Sequence, residues 1–296
     1  MKRKRNKVTT FDVINVLIML LMMLIMLYPF WYCLVGSLNN GNDYIRGGIY
    51  FWPRQFTFAN YKAVFRDRTI LDAFAVTAAQ TIIGTAASLL VTALAAYAMT
   101  RPGLKFKGFY APFMTLTMYF GGGLIPYFIV IKNLGLYDNF LVYIIPSLFS
   151  VWNMIIMRSF FAELPAGLVE AAKIDGAGEY RIFFQIVIPL SKAVFATIIL
   201  FSLVGYWNSY FTSMMYTSSQ ELQTIQFYLK RLITEPGTTS SLANSAAIMV
   251  SKQANQSSPQ TIKLAAMIIT AAPIICIYPF LQKYFAKGVM IGSVKG

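Results

Sequence analysis

The sequence predicts an all-α membrane protein of six transmembrane helices, with both termini on the cytoplasmic side. Three observations predict it. Of 296 residues, 57% are hydrophobic and only 12% charged, and the mean hydropathy is +0.58. Soluble domains carry about 25% charged residues, so this chain has too few charges to cover a globule of its size. Six intervals carry no charge at all, each long enough to cross a bilayer, for which about 20 mostly apolar residues suffice. Lys and Arg are distributed unequally between the two sets of connecting segments, which sets orientation.

The intervals follow in order. Residues 13–35 lie between Asp12 and Asp43, residues 73–100 between Asp72 and Arg101, and residues 108–131 between Lys107 and Lys132. Residues 139–157 lie between Asp138 and Arg158. Residues 193–220 lie between Lys192 and Glu221, apolar mainly over 193–216, and residues 264–282 lie between Lys263 and Lys283. Lys2, Arg3, Lys4, Arg5 and Lys7 precede the first span like the basic region of a signal peptide. The apolar stretch from Val13 to Val35 is too long for a cleavable core, and no small-residue cleavage site follows. It is expected to remain as an uncleaved helix.

With the N-terminus inside, the segments 1–10, 101–107, 158–192 and 283–296 hold fifteen Lys and Arg; the outer segments 36–72, 132–138 and 217–263 hold ten. That bias favours N-in, C-in. The outer loops 36–72 and 217–263 are long enough to build small external structures. The second helix is rich in small residues such as Ala86, Ser88, Ala93 and Ala96, which let helices approach closely. The third carries Gly121-Gly122-Gly123 and Pro126. Such a break is tolerated in lipid only where protein or water satisfies the backbone, as a packing kink or as a bend lining a path.

Several function classes drop out. There is no histidine, which excludes His-based acid–base catalysis and His metal ligation. Cys33 and Cys276 both sit in apolar runs, so neither a disulfide framework nor a metal site is expected. The net charge of +14 is read as Lys and Arg clustering in loops that stay on the cytoplasmic side. No basic stripe interleaves with aromatics, so nucleic acid is not a partner.

The most informative segment is the cytoplasmic loop 163–190, ELPAGLVEAAKIDGAGEYRIFFQIVIPL. Pro165 suits a helix start. Leu168 and Ala172 share a face at i, i+4, and Ala171 and Ala172 are small enough for another surface to come close. Asp175-Gly176 and Gly178 stop that helix and turn the chain. A second short helix, about Glu179 to Val187, leads to Pro189 and the fifth span. The result is a helix–turn–helix on the cytoplasmic side, either an ordinary surface loop or an element that docks into a groove of a soluble partner.

Glu170-Ala171-Ala172, Asp175-Gly176-Ala177 and Ile188-Pro189-Leu190, with Trp207-Asn208-Ser209-Tyr210 beyond, resemble the EAA motif and following helix of ABC-importer permeases. The six-span layout and the tail Phe285–Gly296 resemble the MalG-like subunit of carbohydrate importers. Gly121-Gly122-Gly123-Leu124-Ile125-Pro126 with Asn133-Leu134-Gly135-Leu136 is similar to its LplC/YtcP-like branch, associated with complex oligosaccharides. The resemblance covers about 11–296, a permease domain (core about 71–283) behind the basic tail 1–10.

The resemblance implies a type I ABC-importer (MetI-like) permease fold in the bacterial plasma (inner) membrane. It implies a second homologous permease subunit, two cytoplasmic ATPase subunits and an extracellular solute-binding protein. No phosphate-binding loop is present, so the chain is not expected to be an enzyme. It is expected to bind no cofactor of its own, and ATP and Mg would sit on the ATPases. The contact with them is assigned to Glu170, Ala171, Ala172, Asp175, Gly176, Ala177 and Gly178. Glu170 would pair with a basic group, and the alanines would fit a groove. ATP-driven closure would switch the bundle between inward- and outward-facing states.

For the substrate path the candidates are Tyr119, Tyr127, Asn153, Tyr206, Trp207, Asn208, Tyr210 and Phe211, since sugars are held by aromatic faces and hydrogen-bonding side chains. Aromatics also gather at membrane interfaces and in cores. In the outer loop, Lys230 and Arg231 could meet an acidic sugar or an acidic patch of the binding protein, or stay as solvated charge. Two other readings are an ion-gradient-driven secondary transporter and an ABC permease for a non-sugar solute. The first normally places a charge within a span, which the six intervals lack. A membrane enzyme would need converging acid–base or nucleophilic groups, and none is visible.

Overall fold

The computed structural model describes residues 9–235 and 256–292, with side chains up to residue 279. Most of the basic tail 1–10, the middle of the outer loop 217–263 and the end of the tail Phe285–Gly296 lie outside the described residues. The described chain is helical, with one isolated antiparallel bridge, Asn39 to Phe56, and no strand. In order the helices are α1 (Thr10–Ser37), α2 (Gly41–Ile45), α3 (Ala59–Arg66), α4 (Arg68–Thr100), α5 (Lys107–Tyr119), α6 (Leu124–Asn133) and α7 (Val151–Ala162). Then come α8 (Ala166–Ile174), α9 (Glu179–Ile182), α10 (Ile188–Leu190), α11 (Lys192–Trp207), α12 (Phe211–Tyr216), α13 (Ile225–Thr234) and α14 (Pro259–Gly292).

Helices α1 and α4 and the part Pro259–Pro279 of α14 are each long and apolar enough to cross a membrane. Three further pairs pass only when taken together, each bent at a short break: α5 with α6 by 114°, Phe140–Ser147 with α7 by 45°, and Glu179–Leu190 with α11 by 85°. The breaks have local causes. The interval 108–131 stops at Tyr119, and Gly123 restarts it at φ +86, a left-handed angle that glycine adopts without steric cost. Within 139–157, Pro146 lies in a short 3₁₀ turn, and Ser150 starts α7 by accepting from the Asn153 N–H. The apolar stretch 193–216 is not one helix. It ends at Trp207, and α12 follows after Asn208 and Ser209, residues whose side chains compete with helical hydrogen bonds. Before α11, Pro189 cannot donate a backbone bond, and the chain turns at Ser191.

The chain divides into two compact units, 1–68 with 231–271 and 69–230 with 272–296. In the first, α1 begins at a capping box: Thr9 Oγ1 accepts from the Asp12 N–H, and Asp12 Oδ2 accepts from the Thr9 N–H. None of its apolar window is buried, so its Leu, Ile and Met side chains suit hydrocarbon rather than water. Buried Asn60 knots this unit. Its Nδ2 donates to the carbonyls of Ser37 and Asn39 at 2.8 and 2.9 Å, and its Oδ1 accepts from Thr261 Oγ1 at 2.8 Å.

The second unit holds two apolar clusters. One joins Ala93, Ala96 and Tyr97 of α4 to Met154, Met157 and Phe161 of α7. Ile182 and Phe183 beyond α8, and Val194 and Ile198 of α11, complete it. A fully buried side chain such as Phe183 contributes about 1.5–3 kcal/mol. The other gathers Ile131, Leu136, Val142, Tyr143 and Tyr216. The small buried residues of α4, among them Ala73, Thr77, Ser88 and Ala96, keep its face low enough for close packing.

Candidate coupling segment and polar cleft

Helix α8 ends in a Schellman turn. The Ala177 N–H donates to the Ala172 carbonyl at 2.9 Å, and the Gly176 N–H donates to the Lys173 carbonyl at 3.0 Å. Gly176 between them has φ +76, where a side chain would strain the backbone. Gly178 then precedes α9, which runs through a π-helical turn at Phe183–Val187 into Pro189. The segment is therefore the helix–turn–helix expected from its sequence.

Packing sorts its residues into two sets. Val169, Ala172 and Ala177 are half-buried against the Tyr97–Phe183 cluster. Glu170, Ala171, Asp175, Gly176 and Gly178 are exposed, as are Leu168, Ile174 and Tyr180. Leu168 and Ala172, placed together on one face by their spacing, thus point to different surroundings. Ile174 is 87% exposed and Tyr180 76%, values that a free loop would not favour for such apolar side chains. Glu170 has no partner among the described residues.

A buried tyrosine fastens the segment. The Tyr97 hydroxyl donates to Glu179 Oε2 at 2.6 Å, and Lys173 Nζ meets Glu179 Oε1 at 2.8 Å. The Arg101 guanidinium lies 4.2 Å from the centre of the Tyr97 ring. The Lys173 bond, and then the Tyr97 hydroxyl, hold the Glu179 carboxyl below its ordinary value. The Lys173 pair is half exposed and contributes little by itself. The Tyr97 bond to a charged acceptor is worth about 1.5–3 kcal/mol.

Elsewhere in the same unit is a cleft of about 220 Å³. Gln80 and Ser88 of α4 form one wall, Tyr143, Ser147, Ser150 and Asn153 a second, and Ser202, Gly205, Tyr206, Ser209 and Thr212 the rest. Tyr206 organises it. Its backbone carbonyl accepts from Gln80 Nε2 at 2.9 Å, and its hydroxyl donates to the Ser147 carbonyl at 3.2 Å. Its ring lies over Gly84, where an added Cβ would meet ring carbons at 2.5–2.6 Å. Gln80 is fully buried, and its Oε1 has no partner among the described residues. Such an orphan costs roughly 1–3 kcal/mol.

A family model described as "Binding-protein-dependent transport system inner membrane component" matches residues 8–291. The chain belongs to that family of ABC-importer permeases. Among curated relatives, Protein LplC of Bacillus subtilis (strain 168) is 36% identical to the permease over 286 residues, covering 97% of this chain and 95% of LplC. The polygalacturonan/rhamnogalacturonan transport system permease protein YtcP of the same organism is 35% identical over 288 residues, covering 97% and 98%. Among solved structures, a chain of a bacterial ABC transporter involved in the import of the acidic polysaccharide alginate superposes with a TM-score of 0.87. It is 30% identical and covers 93% of this chain and 96% of that one. The family consists of transport subunits, so the permease is not an enzyme.

Of the substrate-path candidates, the cleft of the permease brings together Asn153 and Tyr206. Trp207 is buried, edge-on to Phe74. Tyr127 packs on Tyr216, and Asn208 Oδ1 accepts from Gln226 Nε2. Tyr210 lies beneath the Lys230 ammonium, 4.8 Å from its ring centre. Phe211 and Tyr119 are exposed away from the cleft lining. Arg231 pairs with Glu235 at 3.2 Å, one helical turn on. Gln80 and Tyr97 were not singled out from the sequence. Gln80 had a signal, being the only amide in the interval 73–100, since polar groups inside a membrane tend to be functional. Tyr97 had none, because its partner lies 82 residues away.

Proposed function

We propose that the chain forms half of the translocation path of an ATP-driven importer of oligosaccharides, and that its segment 163–190 receives the work of ATP hydrolysis. The observation that carries this reading is the exposed surface of α8 and α9. Glu170, Ala171, Ile174 and Tyr180 stand out on a turn held rigid by Gly176 and by the Tyr97–Glu179 bond. Exposed apolar groups beside an unpaired carboxylate suit a groove with a basic rim. Two cytoplasmic ATPase subunits would supply that groove and carry the ATP and Mg. A homologous permease completes the path, and an extracellular binding protein delivers the saccharide. Six spans with both termini inside place segment 163–190 in the cytoplasm, in keeping with the Lys and Arg bias.

The relatives support an acidic saccharide. YtcP is named for polygalacturonan and rhamnogalacturonan, and the structural neighbour imports alginate. An acidic oligosaccharide is the matching substrate for this permease. The test is to assemble this chain with its partner permease, ATPases and binding protein, and to measure ATP turnover and uptake with uronic-acid oligosaccharides. The expected result is saccharide-stimulated ATP turnover that stops when segment 163–190 is altered. Uptake that survives ATP depletion and collapses with an uncoupler would establish a gradient-driven carrier instead.

A further inference from the structure

We infer that the cleft around Gln80 is a binding site, on this subunit itself, for an uncharged, hydroxyl-bearing stretch of the saccharide. The inference rests on the reading of the chain as an oligosaccharide permease and adds what its own surface recognises. The lining is hydroxyls, amides and two tyrosine rings, with no Lys, Arg, Asp or Glu. A backbone carbonyl can only accept, so the amide nitrogen of Gln80 must face Tyr206 O. That leaves Oε1 as the acceptor of this side chain, buried and unpartnered among the described residues. A sugar hydroxyl is the complementary group, because it donates to such an oxygen and can accept from a neighbouring serine. Of the two tyrosines, only the half-buried Tyr206 has ring surface for the C–H side of a sugar; Tyr143 is buried in the apolar cluster.

The absence of charge in the lining is the selective feature. A carboxylate brought here would lose water and meet no cation, which is strongly unfavourable. Lys230 and Arg231, the basic residues expected from the sequence to meet an acidic sugar, are not part of the lining. The carboxylates of an acidic saccharide would therefore point out of this cleft while its hydroxyls point in. A volume of about 220 Å³ matches a short stretch of chain and not a whole oligosaccharide.

The experiment uses the complete importer in proteoliposomes with its binding protein and radiolabelled tri-galacturonate, read as saccharide moved per ATP hydrolysed. Gln80→Leu removes the Oε1 acceptor and is expected to lower the ratio at least fivefold. Gln80→Leu also removes the tie to Tyr206, so Asn153→Leu, at another residue of the lining, is the second variant, with the same expectation. Asn153→Asp and Asn153→Lys are expected to lower the ratio alike. An unchanged ratio in both leucine variants overturns the site. A lysine variant that works like wild type beside an inactive aspartate variant overturns the uncharged ligand. A wild-type importer that moves no saccharide on ATP hydrolysis overturns the parent reading instead, which separates the two failures.

Discussion

Two carboxylates each tie a loop of the second unit, and their surroundings differ. Asp138 accepts from the N–H groups of Ser218 and Ser219 at 2.9 and 2.8 Å and from the Ser219 hydroxyl at 2.5 Å. The neighbouring Leu136 and Tyr216 are buried. Glu179 takes the Tyr97 hydroxyl and the Lys173 ammonium, but Ile174 and Tyr180 beside it are exposed. Asp138 holds neutral donors and Glu179 an ammonium and a phenol, yet both are carboxylates that tie a loop, so a clamp by itself does not mark a functional segment. What distinguishes segment 163–190, which we propose receives the work of ATP hydrolysis, is how far its apolar side chains stand out: Ile174 is 87% exposed and Tyr180 76%, against 65% for Leu134 and 38% for Tyr137 at the Asp138 turn.

The strongest way to break this comparison is to deform the surface that Glu179 holds. Gly176→Val places a β-branched residue at φ +76, with a strain of roughly 1–2 kcal/mol, and reshapes the turn between α8 and α9. ATP-driven uptake is expected to fall tenfold or more, while the clamp at Asp138 and the cleft remain intact; near-normal uptake would show that the turn is not used. Ile174→Asp tests the exposed surface with little disturbance of the fold, because a surface change usually shifts stability by within about 0.5 kcal/mol. Loss of a buried apolar contact is worth about 1.5–3 kcal/mol, so affinity for the ATPase subunits should weaken roughly 10- to 100-fold in a binding assay.

Tyr97→Phe keeps the ring under Arg101 and removes only the hydroxyl bond to Glu179. The expected cost is about 1.5–3 kcal/mol, read as a lower thermal midpoint of the purified complex, with fewer saccharides moved per ATP. Asp138→Asn should have the smallest effect on uptake. The bonds from Ser219 and Ser218 lower the Asp138 pKa to about 2. A carboxylate depressed on folding stabilises above its unfolded value of about 4, and that stability is lost as the pH falls from about 4 through 2. The acid loss in that window should be smaller in Asp138→Asn than in wild type, by thermal melts at stepped pH.

Much of this architecture was legible in the sequence. The helical class followed from six charge-free intervals, and the form of segment 163–190 followed from Pro165, Asp175-Gly176 and Pro189. Those features act over a turn or two of chain, where propensity and capping decide the outcome. Breaks were harder to size. Gly121-Gly122-Gly123 announced an interruption, yet nothing local distinguishes a mild kink from the observed 114° bend. The division of the aromatic candidates was out of reach as well. Tyr206 and Trp207 are neighbours in sequence, but one lines the cleft and the other packs on Phe74.

By itself the sequence determined that the chain is helical, lives in lipid and carries a preformed helix–turn–helix with the residues of an EAA loop, because those properties depend on composition and on contacts between near neighbours. The tertiary structure alone decided which polar groups share a cleft. Gln80, Asn153 and Tyr206 are scattered along the chain. They meet only because Gly84 leaves room for the Tyr206 ring, and because a buried amide takes the carbonyl within its reach. It likewise decided that Glu179 answers to Tyr97, since a hydrogen bond between groups 82 residues apart exists only once the helices that carry them have packed.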